Sequence, residues 1–130
     1  GLHCKNLFLC NRQKNRFFLA CIPGHKRFVT SEVSRQIFSS RLQFADDADL
    51  LRILKLHPGS VSPFGLLNDT QRETSLALDE DLRLAPRISF NPNTNRATVV
   101  LTQDAFMAYL ESLSIQPLYF HLQSQGGAHG

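Results

Sequence analysis

Apolar residues occur along this chain in short runs, and their spacing changes from run to run. Residues 4–10 (C-K-N-L-F-L-C) and 16–22 (R-F-F-L-A-C-I) are aromatic-rich and almost continuously apolar. The polar N-R-Q-K-N between them predicts a β-hairpin. Pro23, Gly24 and His25 end the second strand. Thr30 or Ser31 is placed to cap a short helix through Phe38, with Val33, Ile37 and Phe38 on its buried side. Residues 42–44 predict a short strand. Asp46 or Asp47 then opens a helix that turns Leu50, Leu51, Ile53 and Leu54 inward and stops before Pro58.

Beyond a proline- and glycine-rich stretch, residues 75–78 alternate as a strand, and Asp79-Glu80-Asp81 opens a helical turn. Residues 88–90 and 97–101 predict two strands joined by N-P-N-T-N. Thr102 caps a helix in which Phe106, Leu110 and Leu113 fall at helical spacing, and residues 117–122 make a last strand. Hairpins mixed with short helices, without βαβ regularity, predict an α+β fold. Its sheet is expected to be mixed, largely antiparallel and barrel-like, with short helices packed around it. One domain is expected over residues 1–122, followed by a small polar tail, 123–130, that frays.

A chain of 130 residues can bury a core without disulfides. Cys4, Cys10 and Cys21 are odd in number and form no C-x-x-C pair, so they read as reduced thiols of a cytoplasmic protein. No apolar run reaches membrane-spanning length and nothing resembles a signal peptide. His3 with Cys4 and Cys10 is too thin a set for zinc, and no metal or cofactor is expected. Charge is uneven. Residues 1–41 carry eight basic side chains and one acid, whereas the remainder carries six basic and ten acidic groups. A basic first third fits a polyanionic partner.

The stretch from His57 to Asp69 (H-P-G-S-V-S-P-F-G-L-L-N-D) cannot be a regular helix or a central strand. Pro63 holds Ser62 extended, and Gly59 and Gly65 permit left-handed backbone or a close approach. A stiff loop with exposed main-chain N–H groups suits an anion or a developing oxyanion. Ser60 and Ser62 have no sequence-local partner for nucleophilic work and read as hydrogen-bonding the loop to itself. His25, His57 and His121 read as surface or structural, with His57 nearest the loop. Lys5 and Asn6 are polar groups within an otherwise core-forming strand, so Lys5 emerges at the sheet edge or into a pocket.

Three segments in this order resemble one family: K-N-L-F-L at 5–9, G-S-V-S-P-F-G-L at 59–66 followed by Asn68-Asp69, and F-N-P-N-T-N-R-A-T-V at 90–99. They are similar to the YbaK-type aminoacyl-tRNA deacylases, which comprise the editing insertion of bacterial prolyl-tRNA synthetase and its free-standing relatives. The free-standing alanyl-tRNA(Pro) deacylases look nearest. The resemblance covers about residues 1–122 and implies hydrolysis of the ester joining a wrong amino acid to the terminal adenosine of a tRNA. It implies that Lys5 is the functional lysine, counted with Gly59 and Ser60 among the catalytic residues and acting mainly by binding the terminal phosphate or adenosine, and that Gly59 and Pro63 belong to a G-x-x-x-P loop. Gly59 and Ser60 are then expected to supply oxyanion amides. Asn6, Val61, Ser62, Pro63, Asn91 and Asn95 are expected to contact substrate. The ribose hydroxyl beside the ester is implied to help deliver water, and the basic first third to meet the acceptor stem.

Two departures accompany the likeness. Asn91 stands where the family often has His, which puts a general base at that position in doubt. Relatives also usually carry a helix and strand before K-N-L-F-L, and the chain is expected to lack that segment. The partners implied are the acceptor end of mischarged tRNA(Pro) and prolyl-tRNA synthetase, with no membrane. Competing expectations are a deacylase for cysteine or serine, and a non-catalytic tRNA- or synthetase-binding module of the same fold.

Overall fold

In the computed structural model, which describes residues 1–90 and 98–123, the two early apolar runs pair as a hairpin. Strand β1 (Leu2–Cys10) lies antiparallel to β2 (Phe17–Pro23), in register from Cys4 opposite Pro23 to Cys10 opposite Phe17. Asn11 closes the connection: its Oδ1 accepts from the N–H groups of Asn15 and Arg16 at 3.0 and 3.1 Å. The chain continues through α1 (Thr30–Gln36), β3 (Gln43–Phe44), α2 (Asp47–Leu54) and two 3-10 turns, Pro58–Ser60 and Pro63–Asn68. Next come β4 (Thr74–Asp79), α3 (Glu80–Leu84), β5 (Arg87–Phe90), β6 (Val99–Thr102), α4 (Gln103–Ser112) and β7 (Leu118–Phe120).

The strands form one mixed sheet in the order β6-β5-β1-β2-β4-β7, with β3 paired to β1. The β1–β2, β1–β3 and β5–β6 ladders are antiparallel, whereas β1–β5, β2–β4 and β4–β7 are parallel. This is the α+β arrangement of a mixed sheet with short helices around it. Among the described residues, no helix is long and apolar enough to cross a membrane.

Both faces of the sheet are covered, which explains why β1 and β2 read as continuous apolar runs rather than alternating ones. On one face Cys4, Phe8, Cys10, Leu19, Cys21, Leu76 and Leu78 pack with Leu50, Ile53 and Leu54 of α2, Leu66 of the second 3-10 turn, and Phe106 and Leu110 of α4. On the other, Leu9, Phe18, Ala20, Ile22 and Ala77 pack with Val33 of α1, with Ile37 at its C-cap and with Phe120 and Leu122.

Two expected core residues lie elsewhere. Helix α1 stops at Gln36, and Phe38 takes a left-handed backbone (φ 59°) that turns its ring into solvent, 91% exposed. Leu51, 49% exposed, flanks the stripe that Leu50, Ile53 and Leu54 already complete at i, i+3 and i+4. The caps also differ in detail. Thr102 Oγ1 accepts from the Ala105 N–H as expected, and Asp79 caps α3 by accepting from the Asp81 N–H. The residue before α1 is Val29, however, and neither it nor Asp46 before α2 makes a side-chain cap.

Candidate functional site

On one side of β1, β5 pairs only with Leu2 and His3, and β3 only with Leu9 and Cys10. Between these two contacts, among the described residues, no strand pairs with that edge. A cleft of about 320 Å3 opens there, lined by Asn6, Leu7, Phe8, Phe44, Ala45, Asp47, Leu50, Pro58 and Val61. Its walls are therefore the β1 edge, the start of α2 and the glycine-proline loop.

Asn6 joins the strand to the loop. Its Nδ2 donates to the Val61 carbonyl at 3.2 Å, while its Oδ1 is buried and accepts from no group among the described residues. A buried acceptor without a donor costs on the order of 1–3 kcal/mol. That cost would be relieved by a ligand N–H or O–H entering the cleft. Alternation along β1 puts Asn6 on the side of Phe8 and the loop, whereas Lys5 leaves on the side of Leu7 and Leu9. Of the two polar residues, it is Asn6 that reaches the loop. Lys5 is half-buried at the unpaired edge, with no side-chain hydrogen bond or ion pair among the described residues.

The loop is held at several points. Ser62 is buried, and its Oγ accepts from the Phe64 N–H at 3.3 Å, capping the second 3-10 turn. The Tyr109 hydroxyl donates to the Pro63 carbonyl at 2.8 Å, and the Phe64 ring packs on Phe90 and Tyr109. Asn68 Nδ2 donates to the Leu54 carbonyl at 2.9 Å. The Asp69 carboxylate, also buried, accepts from the N–H groups of Glu73 and Thr74. Gly65 serves close approach, because a Cβ there would stand 2.5 Å from Leu56 Cδ1 and 3.2 Å from Leu54 Cβ.

Ser60 is spent inside its own turn. Its N–H and its Oγ both donate to the His57 carbonyl, at 2.9 and 3.2 Å. The Ser60 amide expected to face an oxyanion is thus committed. Among the described residues, the Gly59 and Val61 N–H groups have no acceptor, as befits the ends of a 3-10 turn. Asn91 and Asn95 lie outside the described residues.

Burial of Tyr109 pushes its hydroxyl up to about 12, with Arg72 opposing the shift, so it remains a donor to Pro63 at any working pH. The sign sets a test. Ionisation is easier in the unfolded chain, so this stabilisation is complete below pH about 10 and is lost as pH climbs towards about 12. Tyr109→Phe should flatten that alkaline limb in a pH series of urea melts.

The thiols offer no nucleophile, since burial pushes Cys4 up to about 12 and Cys21 well above its ordinary value. Cys4 and Cys10, six residues apart on one strand, stand roughly 20 Å from each other and cannot converge on a metal with His3. A larger concavity, about 530 Å3, is lined by Arg52, Lys55, Asn68, Asp69 and Glu73 among others. There Arg52 is already paired with Asp49 and Glu73, and Asp69 with main-chain N–H groups.

Residues 3–109 match the aminoacyl-tRNA editing domain family, and the chain belongs to it. It is 32% identical over 120 residues to prolyl-tRNA synthetase associated domain-containing protein 1 of Danio rerio, covering 91% of this chain and 65% of that one. It is 35% identical over 100 residues to the prolyl-tRNA editing protein ProX of Acetoanaerobium sticklandii, covering 77% of this chain and 61% of the other. The chain thus spans less than two thirds of either relative. A solved structure described as a candidate trans-editing enzyme for prolyl-tRNA synthetase shares the fold, with a TM-score of 0.68 and 21% identity over 93% of this chain and 71% of its own.

Proposed function

We propose that this member of the aminoacyl-tRNA editing domain family is a deacylase that hydrolyses the ester of mischarged tRNA(Pro), with alanyl-tRNA(Pro) as its main substrate. The observation that carries the reading is the division of labour within Asn6. One atom of its amide holds the loop, and the other is a buried acceptor left without a donor at the cleft. A substrate α-ammonium supplies that donor through a charge-assisted bond. Asp47, exposed at the cleft, adds favourable charge.

In this scheme the Gly59 N–H, joined by that of Val61 rather than of Ser60, receives the carbonyl oxygen as it gains negative charge. Ser62 and Pro63 keep the loop in shape through the hydroxyl cap and the Tyr109 bond. Lys5 meets the terminal phosphate from the far side of the same open edge. An aminoacyl ester is already activated, so position and charge stabilisation suffice without a side-chain nucleophile. Water adds to the carbonyl carbon, the bond to the ribose oxygen breaks, and that oxygen takes the proton, releasing alanine and free tRNA. Phe8, Ala45, Leu50 and Val61 make the apolar wall against which a small side chain fits and the proline ring is turned away.

The test is ester cleavage on a panel of alanyl-, seryl-, cysteinyl- and prolyl-tRNA(Pro). Alanyl-tRNA(Pro) should be hydrolysed and prolyl-tRNA(Pro) spared. Salt-sensitive tRNA binding with no cleavage at any protein concentration would overturn the reading in favour of a binding module.

A further inference from the structure

Phe38 is the first residue past the α1 cap, with φ 59°. Its N–H donates to the Arg35 carbonyl at 3.3 Å, and the Ser39 N–H donates to the Ser34 carbonyl at 2.9 Å. This is the paired-bond ending in which helices commonly place glycine, because a Cβ in the left-handed conformation crowds the following carbonyl. Phenylalanine is costly there, and at 91% exposure its ring recovers nothing from burial. A side chain disfavoured both by its backbone and by water is accounted for by a partner that covers it.

The surroundings identify that partner's charge. The hairpin connection docks on this turn: Arg16 Nη1 donates to the Phe38 carbonyl at 3.5 Å, and the Arg12 N–H donates to Ser40 Oγ at 3.1 Å. Segments 11–16 and 35–45 carry Arg12, Lys14, Arg16, Arg35 and Arg41 and contain no Asp or Glu. All five are exposed, and Lys14 reaches Asp46 at 3.8 Å across the surface. The other strongly exposed aromatic of this region, Phe44, lies against Leu9 on β3 and lines the cleft. At most about 20 Å of chain separates it from Phe38.

We propose that Phe38, with Arg12, Arg16 and Arg41 around it, is an RNA-docking platform. A base stacks on the exposed ring, the arginines take the flanking phosphates, and the strand runs past Phe44 into the cleft. The inference deepens the deacylase reading and rests on it for the identity of the RNA, which is the acceptor strand of the tRNA.

The test uses uncharged tRNA(Pro) as probe, with affinity measured across a salt series. Phe38→Gly should weaken binding about five- to a hundredfold while raising the melting temperature by about 2–4 °C. A loss of binding in a more stable protein cannot be ascribed to misfolding. Arg12→Ala with Arg41→Ala should lower the slope of log affinity against log salt by about 1–2. None of these variants should alter cleavage of alanyl-adenosine, which is too short to reach Phe38, whereas KM for the full aminoacyl-tRNA should rise. Unchanged tRNA affinity in Phe38→Gly overturns the platform even if the protein is an active deacylase. Loss of binding in that variant upholds it even if no ester is cleaved.

Discussion

Asn6→Ala should lower kcat/KM for alanyl-tRNA(Pro) by about 10- to 150-fold, the loss expected when a hydrogen bond to a charged group is removed. The reasoning starts from the unmatched Oδ1. An acceptor dehydrated in advance gains more from a substrate ammonium than one that must first surrender water. Lactyl-tRNA(Pro), in which a hydroxyl replaces the ammonium, separates this role from the grip on Val61. The variant should lose much less on the lactyl ester, because the charge-assisted bond was never available there. Lys5→Ala should cost less, mainly in KM and less so at high salt, because Lys5 lies on the other face of β1 and its proposed role is to meet a phosphate. A Lys5→Ala loss in kcat larger than that of Asn6→Ala would return the lysine to the centre of the chemistry.

Lys26→Met should destabilise the fold by about 3–5 kcal/mol, which corresponds to a fall in melting temperature on the order of 10–20 °C. Lys26 is 1% exposed and Asp79 is 0% exposed. The ammonium contacts both oxygens of Asp79 at 3.1 Å, Asp81 at 2.8 Å and the Leu122 carbonyl at 2.6 Å. One charged group thus ties the end of β2 to the end of β4, the first turn of α3 and the segment after β7. Removing it leaves the buried Asp79 carboxylate with only His121 Nδ1, 3.9 Å away and charged only when protonated, as a countercharge, and a methionine stem cannot supply another.

Asp79, Asp81 and His121 could be mistaken for a metal-binding group, but the cation among them is the lysine. The hydrogen bond from Lys26, aided by its charge and those of His121 and His25, holds the Asp81 carboxyl below its ordinary value. Its contribution is therefore present above pH about 4 and disappears as pH falls through the lowered value. The Lys26→Met protein should accordingly show a weaker acid limb in urea midpoints measured between pH 6 and 2. A destabilisation below about 1 kcal/mol would show that the buried network is dispensable.

The elements that could be read from the chain alone are those whose cause is local. The hairpin of β1 and β2 follows from two aromatic runs and a polar turn, α2 from the spacing of Leu50, Ile53 and Leu54, and α4 from Thr102 and the Phe106–Leu110 pair. The motif order around K-N-L-F-L and G-S-V-S-P-F-G-L was likewise enough to reach the family. The same logic misplaces Phe38. Helical spacing assigns it inward, yet the helix ends two residues earlier and the reversed backbone carries it out. A buried Lys26 had no signature at all, because its partner Asp79 is 53 residues away.

The choice between Lys5 and Asn6 shows where local information stops. Both faces of β1 are buried, so neither the hydrophobic pattern nor strand alternation says which face meets the loop. That is decided by where α2 and the loop pack, and the contact that reveals it spans 55 residues, from Asn6 to Val61. Residue type and near-neighbour spacing set which segments become strands, helices and a rigid turn. Only packing of the whole sheet could decide which polar group lost its water, which amide was consumed by its own turn, and which aromatic ring was left outside.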